Sequence, residues 1–339
     1  MTSGSVLTVI LNYRTAGMTL RSAEAALMAM QDLPGEVIIV DNGSGDGSFE
    51  VLSAAARDRG WSASGRLRVV SFGRNGGFGA GMNFGMNAGL SDGGAADYYY
   101  LLNSDAFPEK DTIRILRDFL ADHPGAGLAG SFVQDEDGKP YHPACRFPSV
   151  ISEFEAMIRL GPLKRLLTPW VVSMDPLPGT ETQVDWTEGS SLMIRREALE
   201  ATGGFDETFF LYFEEIDLCR RAARAGWRTH YVPQSRIAHI GAASTGKGGW
   251  SRTPRFFLDS RNYYFTKNHG RAYAAAADLA HLTGGMIWQA RRLLQGKPAL
   301  DPPYYLRDIL SHGLRALLRR RAAPHSETRG PDPVPEEQK

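Results

Sequence analysis

The sequence predicts an α/β fold: a doubly wound, largely parallel sheet in the first hundred residues, a mixed sheet after it, and a helical C-terminal extension. Three observations carry that expectation. Short Val- and Ile-rich runs alternate with longer stretches of helical spacing. Polar residues follow those apolar runs directly. From about Thr253 onward, strand-like runs give way to helical ones.

The elements follow in order. Val6–Leu11 and Glu36–Val40 are continuous apolar runs, as expected of strands buried on both faces, and the helical stretch Met18–Met30 between them completes a βαβ unit. A helix at Ser48–Arg59, a strand at Leu67–Phe72 and a strand at Tyr98–Leu102 extend the pattern. Beyond it the spacing predicts a helix over Phe107–Ala121, a strand over Gly127–Val133 and a helix with a following loop over Ser149–Leu167. A strand over Val184–Ile194 is interrupted at Glu188–Gly189. A short helix at Glu197–Thr202, a glycine-ended helix at Phe213–Gly226 and a last strand from His230 complete this part. Ala322–Lys339 has no large apolar residue except Val334 and is expected to be a disordered tail.

Composition excludes some functions. Lys plus Arg number 38 and so do Asp plus Glu, which argues against a nucleic-acid binder that relies on overall charge. Cys145 and Cys219 make no metal-binding spacing, and with no signal peptide at the N-terminus a cytoplasmic location is expected. No apolar run reaches about 18 residues, so no membrane span is expected; Tyr273–Trp288 contains Asp278 and His281 and reads as a water-soluble helix. Tyr304–Arg321 is basic and amphipathic. It suits a peripheral membrane contact, a helix packed on the domain, or a homodimer partner.

Asn12, Asp41 with Asn42, and Asn103 with Asp105 end apolar runs. Ligands of open α/β sheets bind outside the carboxyl ends of strands, so three such ends in succession mark a site. The loop DNGSGDGS (Asp41–Ser48) offers Asp41 to a base or ribose, or is a polar turn capping a helix. Gly73–Gly89, with Asn75, Asn83 and Asn87, suits close packing beneath a ligand, or is a flexible loop. Asp105, in LNSDA, is a hard ligand for Mg²⁺ or Mn²⁺ bridging a diphosphate, or a helix cap. In FLYFEEIDLCRR (Phe210–Arg221), Asp217 shares a helix face with Arg220, Arg221 and Arg224, which can hold it. Glu215 shares one with Leu218, Cys219 and Ala222, so it points inward at a helix start, as suits a general base. Glu214 reads alone as a helix N-terminal charge. His239 alone reads as a packed or surface histidine. Trp186 and Tyr212 are stacking platforms for a sugar, or core.

In this order, VILNYR, VDNGSGDGS, NGGFGAGMN, LNSDA, WTEGSSLMIRREALEATGGFDETFFLYFEEIDLCRR, HIGAAS and RNYYFTKNH resemble the GT-A glycosyltransferases of family 2, most closely their bacterial rhamnosyltransferase-like branch, over roughly residues 5–270. The resemblance implies a GT-A fold with a Rossmann-like nucleotide-binding half over about residues 1–106, an acceptor half over about 107–250 and a helical extension over 251–321. It implies sugar transfer from a nucleotide diphosphate with inversion. Asn12 and Asp41 match base and ribose positions, Asn75 a further donor contact, and Arg14, Asn42, Asn83, Asn103 and Ser104 stand with them on the donor side. Asp105 and His239 match the metal ligands for Mg²⁺ or Mn²⁺, with Asn103 where the family's motif usually starts on Asp. Trp186, Glu188 and Gly189 match the acceptor loop. Glu215 matches the base, a Glu where Asp is usual, with Glu214 as the alternative. The donor implied is dTDP-L-rhamnose, against another such as UDP-galactofuranose. The acceptor implied is a saccharide or lipid-linked saccharide of a cell-surface polysaccharide, met at the inner face of the plasma membrane. Two other classes compete: a non-catalytic nucleotide-sugar binder, which needs no base, and a nucleotidyltransferase, whose basic glycine-rich loop LNYRTAG matches poorly.

Overall fold

The structure, a computed structural model, describes residues 4–241 and 250–318. The expected tail and the end of the HIGAAS motif, residues 242–244, lie outside the described residues. The first half runs β1 (Val6–Asn12), α1 (Ala16–Ala29), β2 (Gly35–Asp41), α2 (Ser48–Asp58), β3 (Leu67–Ser71), α3 (Phe78–Asn87) and β4 (Tyr98–Asn103). It continues through β5 (Ala106–Pro108), α4 (Thr112–Asp122), β6 (Ala126–Gln134), α5 (Val150–Ile158) and α6 (Gly161–Leu166). Then come β7 (Thr182–Val184), β8 (Ser191–Arg195), α7 (Arg196–Thr202), α8 (Glu214–Arg224) and β9 (Arg228–His239), followed by α9 (Arg255–His269), α10 (Arg271–Leu294) and α11 (Tyr305–Leu318).

One mixed sheet has the order β3-β2-β1-β4-β8-β6-β9-β5, with β7 also on β9. Strands β3, β2, β1 and β4 are parallel; β8 runs antiparallel to both β4 and β6. Helices cover both faces. Ala23, Ala26, Leu52, Ile113 and Leu116 of α1, α2 and α4 pack on one side. Met82, Met86, Ala198, Leu218 and Cys219 of α3, α7 and α8 pack on the other. Burial on both faces is why β1 and β2 read as unbroken apolar runs.

Three expected elements differ. Phe107–Ala121 is not one helix: β5 comes first, pairing Ala106 with His239, and α4 starts at Thr112. Pro108 disfavours helix at Phe107 and has no N–H to donate. Val184–Ile194 divides into β7 and β8, which pair with different strands, and the loop between them carries WTEGS. Of the helix with a following loop expected over Ser149–Leu167, α5 is the helix, ended where Arg159 turns left-handed (φ 48°), and the segment after it forms a second short helix, α6, with Pro162 in its first turn.

The last three helices are fastened to the sheet domain by charge as well as packing. Arg261 of α9, buried, donates Nη2 to Glu153 of α5 at 2.8 Å and Nη1 to Asp278 of α10. His281 Nδ1 meets the same Glu153 oxygen at 2.6 Å. Burial raises the Glu153 carboxyl, but the Arg261 charge and the His281 hydrogen bond outweigh it and hold the pKa at about 2. A carboxyl depressed on folding stabilises the fold above its unfolded value and loses that contribution as pH falls through the folded one. Glu153→Gln is therefore expected to cost on the order of 3 kcal/mol at pH 7. In urea titrations the gap to wild type closes as pH falls from 4.5 to about 2.

Candidate active site

The parallel strands end in a row. Asn12 lies opposite Asp41, and Asp41 opposite Ser71; on the other side Leu11 lies opposite Asn103. The chain runs outward from β1 through β2 to β3 and then returns to place β4 on the far side of β1. The strand ends of β1 and β4 thus flank the topological switch point.

Asn12 lies beneath the site instead of lining it, contrary to expectation. It is 0% exposed, donating Nδ2 to Asp41 Oδ1 (2.8 Å) and Ser44 Oγ (3.1 Å) and accepting at Oδ1 from Thr19 Oγ1 (2.7 Å). A side-chain amide so occupied orients Asp41 and has little left for a ligand. Ser44 Oγ donates to Asp41 Oδ1 at 2.5 Å. Arg14, exposed, ties its backbone N–H and Nε to Ser44, joining the loops after β1 and β2. Ser104 accepts from Thr15 Oγ1 at 3.1 Å and is buried.

The loop after β3 is locked to this row and to the FLYFEE stretch. Asn42 Nδ2 donates to Asn75 Oδ1 and to Gly77 O, each at 3.2 Å. Gly77 has φ +85°, and a Cβ there would overlap Phe210 O, which accepts from Phe78 N–H at 2.9 Å. Asn83 is a second correction: its amide donates to Phe205 O and Glu207 Oε1 (3.0 Å each) and accepts from Phe205 N–H (2.9 Å). It holds the turn before FLYFEE.

Asp105 and His239 meet across the β5–β9 edge. His239 Nε2 stands 3.1 Å from Asp105 Oδ1 and 3.4 Å from Asn103 Nδ2. A carboxylate oxygen and an imidazole nitrogen this close can share one divalent ion. Among the described residues no group of three or more His, Cys, Asp or Glu could hold a metal, so further ligands would come from a bound molecule or water.

Tyr212 and Phe213 have φ of 68° and 70°, both left-handed, immediately before α8. Such a conformation costs a non-glycine residue on the order of 1–3 kcal/mol and persists only where its surroundings over-determine it. Here Tyr212 stacks on Phe256, Phe213 tilts on Tyr264, and Ser260 Oγ donates to Leu211 O at 2.9 Å. Lys267 Nζ lies 2.7 Å from both Asp206, before the turn, and Asp217, after it.

The first turn of α8 departs from the expected face. Leu218, Cys219 and Ala222 are buried, but the fully covered carboxylates are Glu214, 3% exposed, and Asp217, 0%, while Glu215 is half-buried. One amphipathic stripe cannot reveal a second cover, and α9 supplies it: Lys267 and Asn268 reach Asp217 from fifty residues on. Of the three arginines expected to hold Asp217, only Arg221 donates to it, at 2.7 Å; Arg220 lies over the Phe147 ring and Arg224 bonds to Asn268 O. Burial, and then the Glu215 charge, pushes the Glu214 carboxyl well above the usual range, and Glu214 Oε2 has no hydrogen-bond partner among the described residues.

Glu215 faces the loop between β7 and β8. A Cβ on Gly189 would lie 3.9 Å from Glu215 Cβ and 3.3 Å from Phe78 Cζ. Glu188 is half-buried beside them; Trp186 donates Nε1 to Arg146 O at 2.8 Å and packs against the cores on either side of it. Ser190 O accepts from Asn103 N–H at 3.3 Å, so this loop links the Asp105 strand end to the Glu215 helix. Cys145 and Cys219 are buried free thiols, each pushed up to about 12 by burial, and neither suits a nucleophile.

Asp206, Lys267 and Asn268 escape a reading of residue types, although RNYYFTKNH was visible as a motif. Burial raises the Asp206 carboxyl, but the Lys267 hydrogen bond outweighs it and the pKa is about 2. In Lys267→Met, Asp206 is expected to titrate nearer the ordinary carboxylate range by NMR. Amide exchange across Leu211–Ile216 is expected to rise about tenfold or more, as loss of charged hydrogen bonds implies.

Comparison with known proteins agrees with this geometry. The model of glycosyl transferase family 2 matches residues 5–174, and that of glycosyl transferase family group 2 matches residues 171–296. The chain is 33% identical over 250 residues to N-acetylglucosaminyl-diphospho-decaprenol L-rhamnosyltransferase of Mycobacterium tuberculosis, covering 71% of this chain and 78% of that protein. It is 29% identical over 171 residues to rhamnosyltransferase WbbL of Escherichia coli, covering 50% of this chain and 62% of that one. Mannosyltransferase PcManGT of Pyrobaculum calidifontis, solved with GDP-Man and Mn²⁺, superposes with a TM-score of 0.51 at 16% identity, covering 94% of this chain and 88% of that one. GalNAc-T7, solved with UDP, GalNAc and Mn²⁺, gives 0.51 at 14% identity; the match covers 93% of this chain but 57% of that one. At such identities these two establish the fold, which is GT-A. With sequence and fold in agreement, the chain belongs to glycosyl transferase family 2, as a rhamnosyltransferase-like, nucleotide-sugar-dependent glycosyltransferase.

Proposed function

We propose that this enzyme transfers L-rhamnose from dTDP-L-rhamnose to a saccharide or lipid-linked saccharide, with inversion, in the synthesis of a cell-surface polysaccharide at the inner face of the plasma membrane. The observation that carries the reading is the Trp186–Ser190 loop, which joins Asn103 beside the Asp105–His239 pair to Glu215. The rhamnosyltransferase names of the relatives from Mycobacterium tuberculosis and Escherichia coli support the sugar. The first relative's name, with its diphospho-decaprenol, supports a lipid-linked acceptor.

Asp41, oriented by Asn12 and Ser44, accepts hydrogen bonds from the nucleoside, and Arg14, Asn42, Asn75 and Asn103 border it. Glu188 and Gly189 border the acceptor, with Trp186 as the pillar behind them. Glu215 takes the proton of the acceptor hydroxyl as that oxygen bonds to the anomeric carbon. The bond from that carbon to the diphosphate breaks on the opposite face, so one displacement inverts the centre. Burial and then the adjacent Glu215 charge push the Glu214 carboxyl up, which disfavours Glu214 as an ionised base and leaves that role to Glu215. Asp105 and His239 would hold Mg²⁺ or Mn²⁺, which neutralises diphosphate charge when bound. Mn²⁺ in both structural neighbours supports that assignment.

The test is turnover by the full chain on a panel of UDP-, GDP- and dTDP-sugars, UDP-galactofuranose included, with the product anomer read by NMR. Glu215→Gln is expected to lose about 10²–10⁴-fold in kcat with donor binding kept. Glu214→Gln, which mimics the neutral acid, stays within about tenfold of wild type on the same scale. The reverse pattern, a loss of that size in Glu214→Gln with Glu215→Gln kept active, would move the base to Glu214. Chelation with EDTA is expected to abolish turnover and Mn²⁺ to restore it; Asp105→Ala stays inactive at the Mn²⁺ concentration that restores wild type. Full activity in EDTA would remove the metal from the reading, and turnover of a different donor would remove rhamnose. Stability gives a further check. A carboxyl raised on folding destabilises the fold as pH climbs from its unfolded value, 4.5, through the folded one, and Glu214→Gln removes that slope.

A further inference from the structure

Two rows of large apolar side chains stand in solvent on the α10–α11 pair. Leu279, Met286 and Leu293 recur every seventh residue on α10, and Leu310, Leu314 and Leu317 follow a helical spacing on α11; all six are between 47% and 72% exposed. Contacts between the helices fix how the rows lie. Arg271 donates to Ala316 O (2.9 Å) and Leu317 O (2.6 Å); a Cβ on Gly313 would overlap Asp278, and one on Gly285 would overlap Leu306. Positions rise along α10 as they fall along α11, so the pair is antiparallel. Leu279 and Met286 each follow a contact residue by one position, as Leu314 follows Gly313, and one step is about 100° in the same rotational sense. In antiparallel helices equal rotations away from the shared contact line point to the same side. The two rows therefore form one apolar strip, two helices wide.

The strip lies in a basic part of a chain that is neutral as a whole. The described residues 291–318 hold five Lys or Arg against two Asp, whereas the full sequence balances 38 against 38. Both aspartates are already matched by arginines from elsewhere, Asp308 by Arg252 (2.7 Å) and Asp301 by Arg159 (2.6 Å). Arg307 stands exposed beside the α11 row. No helix among the described residues is long and apolar enough to cross a membrane.

We infer that the α10–α11 face docks on an anionic phospholipid bilayer, with its leucines in the interfacial layer and its arginines on the headgroups. A second copy is a poorer occupant. A two-fold interface would set this basic patch against itself.

The experiment is flotation of the full chain with vesicles of phosphatidylglycerol and phosphatidylcholine, and with phosphatidylcholine alone. Binding is expected to be at least about tenfold stronger to the anionic vesicles and to weaken in high salt. Leu310→Ser/Leu314→Ser/Leu317→Ser is expected to lose about tenfold or more of it, with its melting temperature and its donor turnover kept, because these side chains touch neither core nor site. Arg307→Glu is expected to weaken anionic binding alone. Absence of vesicle binding by wild type would overturn the proposal, as would unchanged binding by the triple variant. A dimer in sedimentation that the triple substitution dissolves, without vesicle binding, would assign the face to a second copy instead. Turnover with a water-soluble acceptor is read separately, so failure of the membrane face and failure of the transfer reading are distinguishable.

Discussion

The position of Glu214 and Glu215 depends on one strained turn. Tyr212 and Phe213 hold left-handed backbone angles that side chains of their size disfavour, and the chain enters α8 from them. A regular approach would rotate the first turn of the helix and carry Glu214 and Glu215 with it. The strain is over-determined from three directions. Phe210 O takes the N–H that opens α3, Ser260 of α9 takes Leu211 O, and Lys267 ties Asp206 to Asp217 across the turn. The helical extension is thus part of the site's construction. Without α9, the turn has neither its aromatic wall nor its bridging cation.

The strand ends set the other half of the site by a different means. Asn12, Thr19, Ser44 and Asp41 form a closed network at the ends of β1 and β2, and the network fixes one orientation of Asp41. Buried polar groups that satisfy one another rigidify what they support. The loop after β3 is attached to that network through Asn42 and to the strained turn through Gly77. A side chain at Gly77 would force the two apart, so this glycine is set by close approach as well as by its positive φ.

Much of this could be read from the sequence, for reasons that particular residues show. Burial on both faces wrote β1 and β2 as unbroken Val and Ile runs, and the polar residues at their ends marked the edge of the sheet where a ligand is expected. Local cues failed where a distant partner decides. Nothing near Ala106–Pro108 announces a strand, because its partner is β9 at His239. The face of α8 was half right: the stripe through Leu218, Cys219 and Ala222 is buried, but the cover over Glu214 and Asp217 comes from α9. Asn12 and Asn83 were legible as polar residues near a site, but their full occupation by Asp41 and by the Phe205 turn depends on contacts across the fold. His239 shows the reverse. Alone it reads as an ordinary packed histidine; the fold sets its Nε2 3.1 Å from Asp105 Oδ1, a pairing that only the sheet edge creates.

The carboxylates divide by environment into two kinds, and the division separates scaffold from chemistry. Glu153 and Asp206 are covered, yet each meets a cation at hydrogen-bond distance, and both titrate at about 2. Partnered in this way, they remain charged at any working pH and serve as fixed anchors. Glu214 is buried more completely, but its close charged neighbour is another carboxylate, and burial and then that charge push its carboxyl well above the usual range. Arg221 and Lys267 hold Asp217, and Arg261 holds Glu153. The fold therefore sets its partly and fully buried cations on Asp206, Asp217 and Glu153, and leaves Glu214 at the start of α8 beside a second acid.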